Sequence, residues 1–190
     1  MTEDFPQRPR RVYDVCKVAA EGMGRNYAEA FGIQFVALRF AQIFGPGKLS
    51  RHEGYGVINR LVENPILGLP VRIARGGEQR DDVIYVDDAA EAIVIATLHS
   101  RPRHDTYNIS RCVGTTLHDF ANAVRETPPS ADIEIGPGLD YLGLGVNYYG
   151  VMDNTRARVD LGFEPKFDLK RGVAHYVESM RELGIAAVAT

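Results

Sequence analysis

Tyr13 and Lys17 are the residues here whose types and spacing could do chemistry. They stand four apart, about one helical turn, so both side chains leave the same helix face. An ammonium held beside a phenol favours the phenolate. A tyrosine so tuned can exchange a proton with a substrate hydroxyl while a hydride moves to or from a nicotinamide, and the lysine can also hydrogen-bond a ribose. Tyr and Lys at this spacing are common by chance. The competing reading is an exposed pair that merely supports its helix.

The element that must carry the pair is a helix from about Val12 to Phe31. Apolar residues recur at Val12, Cys16, Ala19, Met23, Tyr27 and Phe31, and Gly32 stops it. The short apolar run Ile33 to Phe40 predicts a buried strand, and a helix followed by such a strand suggests an α/β fold with a parallel sheet. Gly45-Pro46-Gly47 then breaks the chain. A helix is predicted from Gly56 to Leu67, and strands at Val71 to Ala74 and Val83 to Val86 with Gly76-Gly77 turning between them. Asp87 or Asp88 should cap an apolar helix, Ala89 to Leu98, buried on more than one side. Thr106 to Ile109 reads as a strand, and Thr116 caps a helix to about Arg125 that Pro128-Pro129 ends. A Gly- and Tyr-rich loop, 136–150, contains Tyr141, Tyr148 and Tyr149. Asp153 or Asn154 caps a short helix to Leu161, a last helix starts near Leu169, and the tail from Ile185 should fray.

Val12-Tyr13-Asp14-Val15-Cys16-Lys17-Val18-Ala19-Ala20-Glu21 resembles the active-site helix of extended short-chain dehydrogenases/reductases, the NAD-dependent epimerase/dehydratase family. Leu38 to Gly47 resembles that family's following strand and loop, and Ile84-Tyr85-Val86-Asp87-Asp88-Ala89-Ala90 its Tyr-Val-x-Asp entry to a helix. Tyr107-Asn108-Ile109 is similar to its next strand, and Leu161-Gly162-Phe163-Glu164-Pro165 to its C-terminal Leu-Gly-aromatic-x-Pro stretch. These landmarks keep the family's order over nearly the whole chain.

The resemblance implies an incomplete doubly wound, Rossmann-like parallel sheet with a smaller mixed α/β substrate domain. Residues 1–45 would be the trailing part of the nucleotide-binding domain, and 46–190 mainly substrate domain, with segments near 83–109 candidates to return to the first sheet. Tyr13 would be the acid/base and Lys17 its partner, both touching an NAD or NADP cofactor that also lies near the backbone of Phe40 and Ala41. Gln42 stands where the family usually has a substrate-contacting Asn; its amide reaches one methylene further. Counted back from Tyr85, the family's diphosphate-binding Arg would fall on Asp81, with Arg80 one position early. An Asp there repels phosphate. Either the loop shifts register and Arg80 binds substrate, or the substrate is not a nucleotide sugar; the second is preferred. Tyr148 and its neighbours would cover the substrate or pack at a domain edge.

The family needs a Gly-x-x-Gly-x-x-Gly turn so that backbone can approach a pyrophosphate. The 190 residues contain none. Thr2 to Pro9 looks like the loop just before the active-site helix, so the resemblance implies a chain that begins mid-domain and is inactive in isolation. Two functions follow as expectations. One is the C-terminal part of a sugar-modifying epimerase, dehydratase or dehydrogenase, acting on a sugar or nucleotide sugar and dimerising through the active-site helix. The other is a non-catalytic remnant acting as an oligomerising or substrate-binding module.

Composition sets the outer bounds. Lys+Arg 22 against Asp+Glu 25 gives a net charge of −3, without the basic excess that nucleic-acid binding by bulk electrostatics requires. Two cysteines, Cys16 and Cys112, cannot make a disulfide framework, and neither a signal peptide nor a membrane-length apolar run is present, so the cytoplasm is expected. His52, His99, His104, His118 and His175 lack the paired spacing of a zinc site, so no metal is expected.

Overall fold

Twenty residues, Val12–Phe31, form α1. The Asp14 carboxylate accepts the Arg11 backbone N–H at its start, 3.2 Å, and Gly32 ends it in the left-handed conformation, φ 66°. The computed structural model describes residues 1–47, 56–126, 131–143, 145 and 150–189; Pro128, Pro129, His52, Tyr148 and Tyr149 lie outside them. The strand expected over Ile33 to Phe40 is confined to its last four residues, and a further short strand that was not expected follows it. β1 (Ala37–Phe40) pairs in parallel with β5 (Thr106–Ile109), and β2 (Gln42–Phe44) in parallel with β4 (Asp81–Tyr85). Ala41 is the switch between partners, its N–H donating to Ile109 O at 2.9 Å.

β3 (Val71–Ile73) runs parallel to β7 (Ile133–Ile135), and β6 (Gly114–Thr115) lies antiparallel to β4. β6 and β7 were not expected from the sequence. The remaining helices are α2 (Val57–Ile66), α3 (Val86–Leu98), α4 (Leu117–Arg125) and α5 (Leu169–Glu182), with a π-helical turn at Ala157–Leu161 closed by Gly162. Thr116 and Asp119 cap α4 reciprocally, and the Asp168 carboxylate accepts the Arg171 N–H at 2.8 Å to cap α5. The outcome is the expected α/β architecture of parallel strand pairs.

Two apolar cores form. One joins α2, α4 and α5 to β2, β3, β4 and β7 around Phe44, Leu61, Phe120 and Tyr176. Phe44 and Phe120 meet edge-on with centroids 5.2 Å apart, and Gly172 on α5 leaves room for the Phe44 ring. The other joins β1, β5, α3 and the π turn around Ile84, Tyr107, Ile109 and Phe163. β4 serves both: Val83 and Tyr85 face the first core, Ile84 the second.

Three expectations need correction. α3 begins three residues early, at Val86, so Asp87 and Asp88 sit in its first turn; buried Asp88 is satisfied there by the backbone N–H groups of Lys166, 2.8 Å, and Phe167, 3.1 Å. Its apolar surface is not buried all round, since Ile93, Val94 and Leu98 are exposed. The tail does not fray immediately: Ile185 and Ala187 pack on the first core, and the Val188 N–H donates to buried Glu63 at 2.8 Å. α1 holds the largest surprise. None of its residues is buried, and its apolar stripe faces outward, with Val12, Met23, Tyr27 and Phe31 all exposed. The helix is held by its other face, where Glu21 takes a bidentate contact from Arg39, 2.9 and 2.7 Å, and Arg25 reaches Asp105, 2.5 Å. Gly24 lets the Phe35 ring lie against that face.

Candidate functional site

At the switch between β1 and β2 a cleft of about 290 Å³ opens. Phe40, Ala41 and Gln42 form one wall, Gln79, Asp81 and Asp82 come from the entry to β4, and Asp140, Tyr141, Leu142, Gly150 and Met152 close it. The sequence makes this place directly. Because the ladder changes partner at Ala41, the β1–β5 and β2–β4 pairs separate there and leave backbone and side chains facing a gap.

Tyr141 is brought in by the turn that the sequence marked as plain. Gly76 adopts φ 101°, where a Cβ would collide with Tyr141, and the N–H groups of Gly76, Gly77 and Glu78 bond the carbonyls of Pro137, Gly136 and Gly138. The Tyr141 hydroxyl then lies 2.8 Å from Asp81 Oδ2 and 3.1 Å from Gln42 Oε1. Gln79 donates to Asp81 at 2.9 Å and accepts the Asp140 N–H at 2.7 Å. Asp82 turns the other way. It accepts the backbone N–H groups of Met152, 3.0 Å, and Arg111, 3.3 Å, while burial pushes its carboxyl above the usual carboxylate range. Asp82 is thus a staple between β4 and the segments at 111 and 152, whereas Asp81, also in the cleft lining, is engaged by the side chains of Gln79 and Tyr141.

The predicted site residues divide into groups. Phe40, Ala41 and Gln42 share the cleft. Tyr13 and Lys17 stay together on α1, the Lys17 ammonium 5.2 Å from the Tyr13 ring centroid, but Tyr13 is 67% exposed and neither lines the cleft. Arg80 is exposed beside Gly114, outside the described lining of the cleft. Tyr148 is outside the described residues. Sequence reasoning did not choose Gln79, Asp81, Asp140 or Tyr141 as site residues. The offset of Arg80 against Asp81 was the signal available for Asp81, and Tyr141 was visible only as one tyrosine of a loop.

The NAD dependent epimerase/dehydratase family model matches residues 1–110, more than half of the chain. The chain belongs to this family. Among curated relatives, a UDP-glucose 4-epimerase of Mycolicibacterium smegmatis is 28% identical over 180 residues, covering 95% of this chain and 56% of the relative. Among solved structures, the UDP-glucose 4-epimerase of Thermotoga maritima with UDP-glucose superposes with a TM-score of 0.78 at 26% identity, covering 96% of this chain and 57% of that one. The Thermus thermophilus UDP-glucose 4-epimerase in complex with NAD gives 0.77 at 25% identity, over 94% and 57%. The chain therefore spans somewhat more than half the length of these relatives.

An NAD-type cofactor implied by the family fits the residues present at one end only. Tyr13 and Lys17 offer a hydroxyl and an ammonium on one helix face, and Phe40 and Ala41 line the cleft at the β1–β2 switch. Nothing in the 190 residues supplies the glycine-rich turn that a pyrophosphate requires. Among the described residues no helix is long and apolar enough to cross a membrane.

Proposed function

We propose that these residues form the proton-transfer and substrate end of an NAD(P)-dependent, sugar-modifying epimerase or dehydratase-type oxidoreductase. The observation that carries this reading is the cleft at Phe40–Gln42, which lies where the resemblance puts substrate and nicotinamide. Bound NAD(P) supplies a hydride acceptor. The Tyr13 phenolate takes the proton of the substrate hydroxyl being oxidised, becoming the phenol, and the phenol returns that proton when the carbonyl is reduced. Lys17, one turn on, places its ammonium 5.2 Å from the Tyr13 ring centroid, beside the charge that this proton transfer discharges and restores. Gln42 orients the substrate. Its Oε1 faces the Tyr141 hydroxyl, leaving the amide nitrogen as the end that donates to a ligand oxygen. The substrate is a sugar or nucleotide sugar bound between the nucleotide-binding part, residues 1–45 with returning segments, and the substrate part beyond. Free, exposed Cys16 and Cys112 are consistent with a reducing compartment such as the cytoplasm.

In the active enzyme that contains this segment, Tyr13→Phe should lower kcat by at least about a hundredfold, the lower range for general acid–base catalysis, while circular dichroism stays unchanged. Retained turnover would remove Tyr13 from the mechanism.

A second reading, an oligomerising module without catalysis, draws on α1. Its exposed apolar stripe lines an open groove at Ala19, Met23, Tyr27 and Phe31 that suits a helix from a second copy of the chain. A homodimer through α1 serves both readings.

A further inference from the structure

The described lining of the cleft is rich in acceptors and negative charge. Of its described lining residues, Asp81, Asp82 and Asp140 are acids and none is Lys or Arg. Asp82 is spent on backbone N–H groups, and Arg75 approaches Asp140 from an exposed position at 3.4 Å. The Met1 ammonium at the rim donates to the Val151 carbonyl, 2.7 Å. Asp81 is different. It is half-buried in the wall, and its Oδ2 accepts from Gln79 and Tyr141, which leaves Oδ1 for a ligand. The Tyr141 hydroxyl carries one hydrogen and stands within bonding distance of both Asp81 and Gln42 Oε1. When it is given to Asp81, Gln42 Oε1 is left as an acceptor for a donor from outside; when it is given to Gln42, Asp81 keeps Gln79 alone.

Phosphate brings acceptors and negative charge, the opposite of what this wall needs, and a carboxylate at contact distance repels it in a partly desolvated cleft. Hydroxyl and ammonium groups bring donors. Phe40, Leu142 and Met152 supply apolar surface for the C–H face of a ring. About 290 Å³ is at the small end of the range of roughly 300–1,000 Å³ for ligand sites and suits one monosaccharide-sized unit.

We propose that this cleft takes an amino sugar, or an amino polyol of similar size, with the ammonium on Asp81, and that it rejects a phosphorylated ligand. This rests on the reading of the cleft as the substrate site. Asp81 is then its specificity-determining residue and Tyr141 the group that holds Asp81 in place.

The test is an NMR titration of the 190-residue chain with glucosamine, glucose and glucose 1-phosphate, following the amide resonances of Ala41, Gln42 and Gly150. Glucosamine should shift all three and bind about tenfold or more tightly than glucose 1-phosphate, with glucose between. Asp81→Asn should erase the preference for glucosamine over glucose. Glucose 1-phosphate binding as well as or better than glucosamine at the same amides would overturn the proposed ligand class and leave the cleft reading intact. A glucosamine preference that survives in Asp81→Asn would overturn the role of Asp81. No shift at these amides with any probe would overturn both the ligand class and the cleft reading. The wild-type ranking decides the ligand class even if the variant folds poorly.

Discussion

α1 and α5 look alike in sequence and sit in opposite environments. Both show apolar residues three and four apart, at Val12, Cys16, Ala19, Met23, Tyr27 and Phe31 in α1, and at Leu169, Val173, Tyr176 and Met180 in α5. In α5 the stripe is the core face, with Val173, Tyr176, Val177 and Met180 buried. In α1 the stripe is the solvent face, and the helix lies on Asp14, Val18, Glu21, Arg25 and Ala28 through ion pairs and a glycine contact. Hydrophobic periodicity thus reports that a helix has an apolar side, and which side is covered depends on what lies next to it. The two candidate sites differ likewise: the α1 face carrying Tyr13 is open, whereas Gln42, Asp81 and Tyr141 meet in the cleft at Ala41.

The contrast should appear first in stability. Phe120→Ala, in the core that α5 helps to close, removes an edge-on partner of Phe44 and should cost about 3–5 kcal/mol. Chemical denaturation followed by circular dichroism measures it, and a cost below about 1 kcal/mol would mean that this core is not tightly packed.

Arg39→Ala should cost less, about 1–3 kcal/mol, because Glu21 then loses its bidentate partner while half-buried. Its signature should be local: hydrogen exchange in α1 should rise well before that in α5. The same contact carries a pH dependence. The Arg39 guanidinium holds the Glu21 carboxyl below the usual carboxylate range. Its contribution is therefore complete above the ordinary glutamate value and is lost as pH falls through the lowered one. Acid below the ordinary glutamate range should loosen α1 in wild type and change little in Arg39→Ala.

The smallest effect on folding is expected on the outward stripe. Phe31 is 70% exposed, so Phe31→Ser should alter the stability of a monomer by no more than about 0.5 kcal/mol. Sedimentation velocity should nevertheless shift towards monomer if α1 pairs with a second copy. An unchanged sedimentation coefficient would leave that stripe without the proposed partner.

Much of the architecture was legible because it depends on local signals. Gly32 ends α1 through a left-handed residue, Thr116 and Asp168 cap their helices, and the strand at Thr106–Ile109 was visible as a short β-prone segment. The division of residues 33–44 into two strands was not legible, because the change of ladder at Ala41 is decided by partners some 40 and 70 positions away. The site was legible in part for the same reason. Tyr13, Lys17, Phe40, Ala41 and Gln42 lie in segments whose order resembles the family. Tyr141 reaches Gln42 across nearly a hundred residues through a turn whose two glycines looked ordinary. Asp81 could be suspected from the offset of Arg80, but that the backbone of Arg111 and Met152 would take up Asp82 and leave Asp81 to Gln79 and Tyr141 depended on distant segments.

The central claim is that these 190 residues hold the proton-transfer pair and the substrate cleft but no grip on a dinucleotide pyrophosphate. Calorimetric titration of NAD into the purified 190-residue chain tests it most directly. The account predicts no saturable binding in the micromolar range. A micromolar Kd would contradict it, showing that these residues hold the cofactor without a glycine-rich turn.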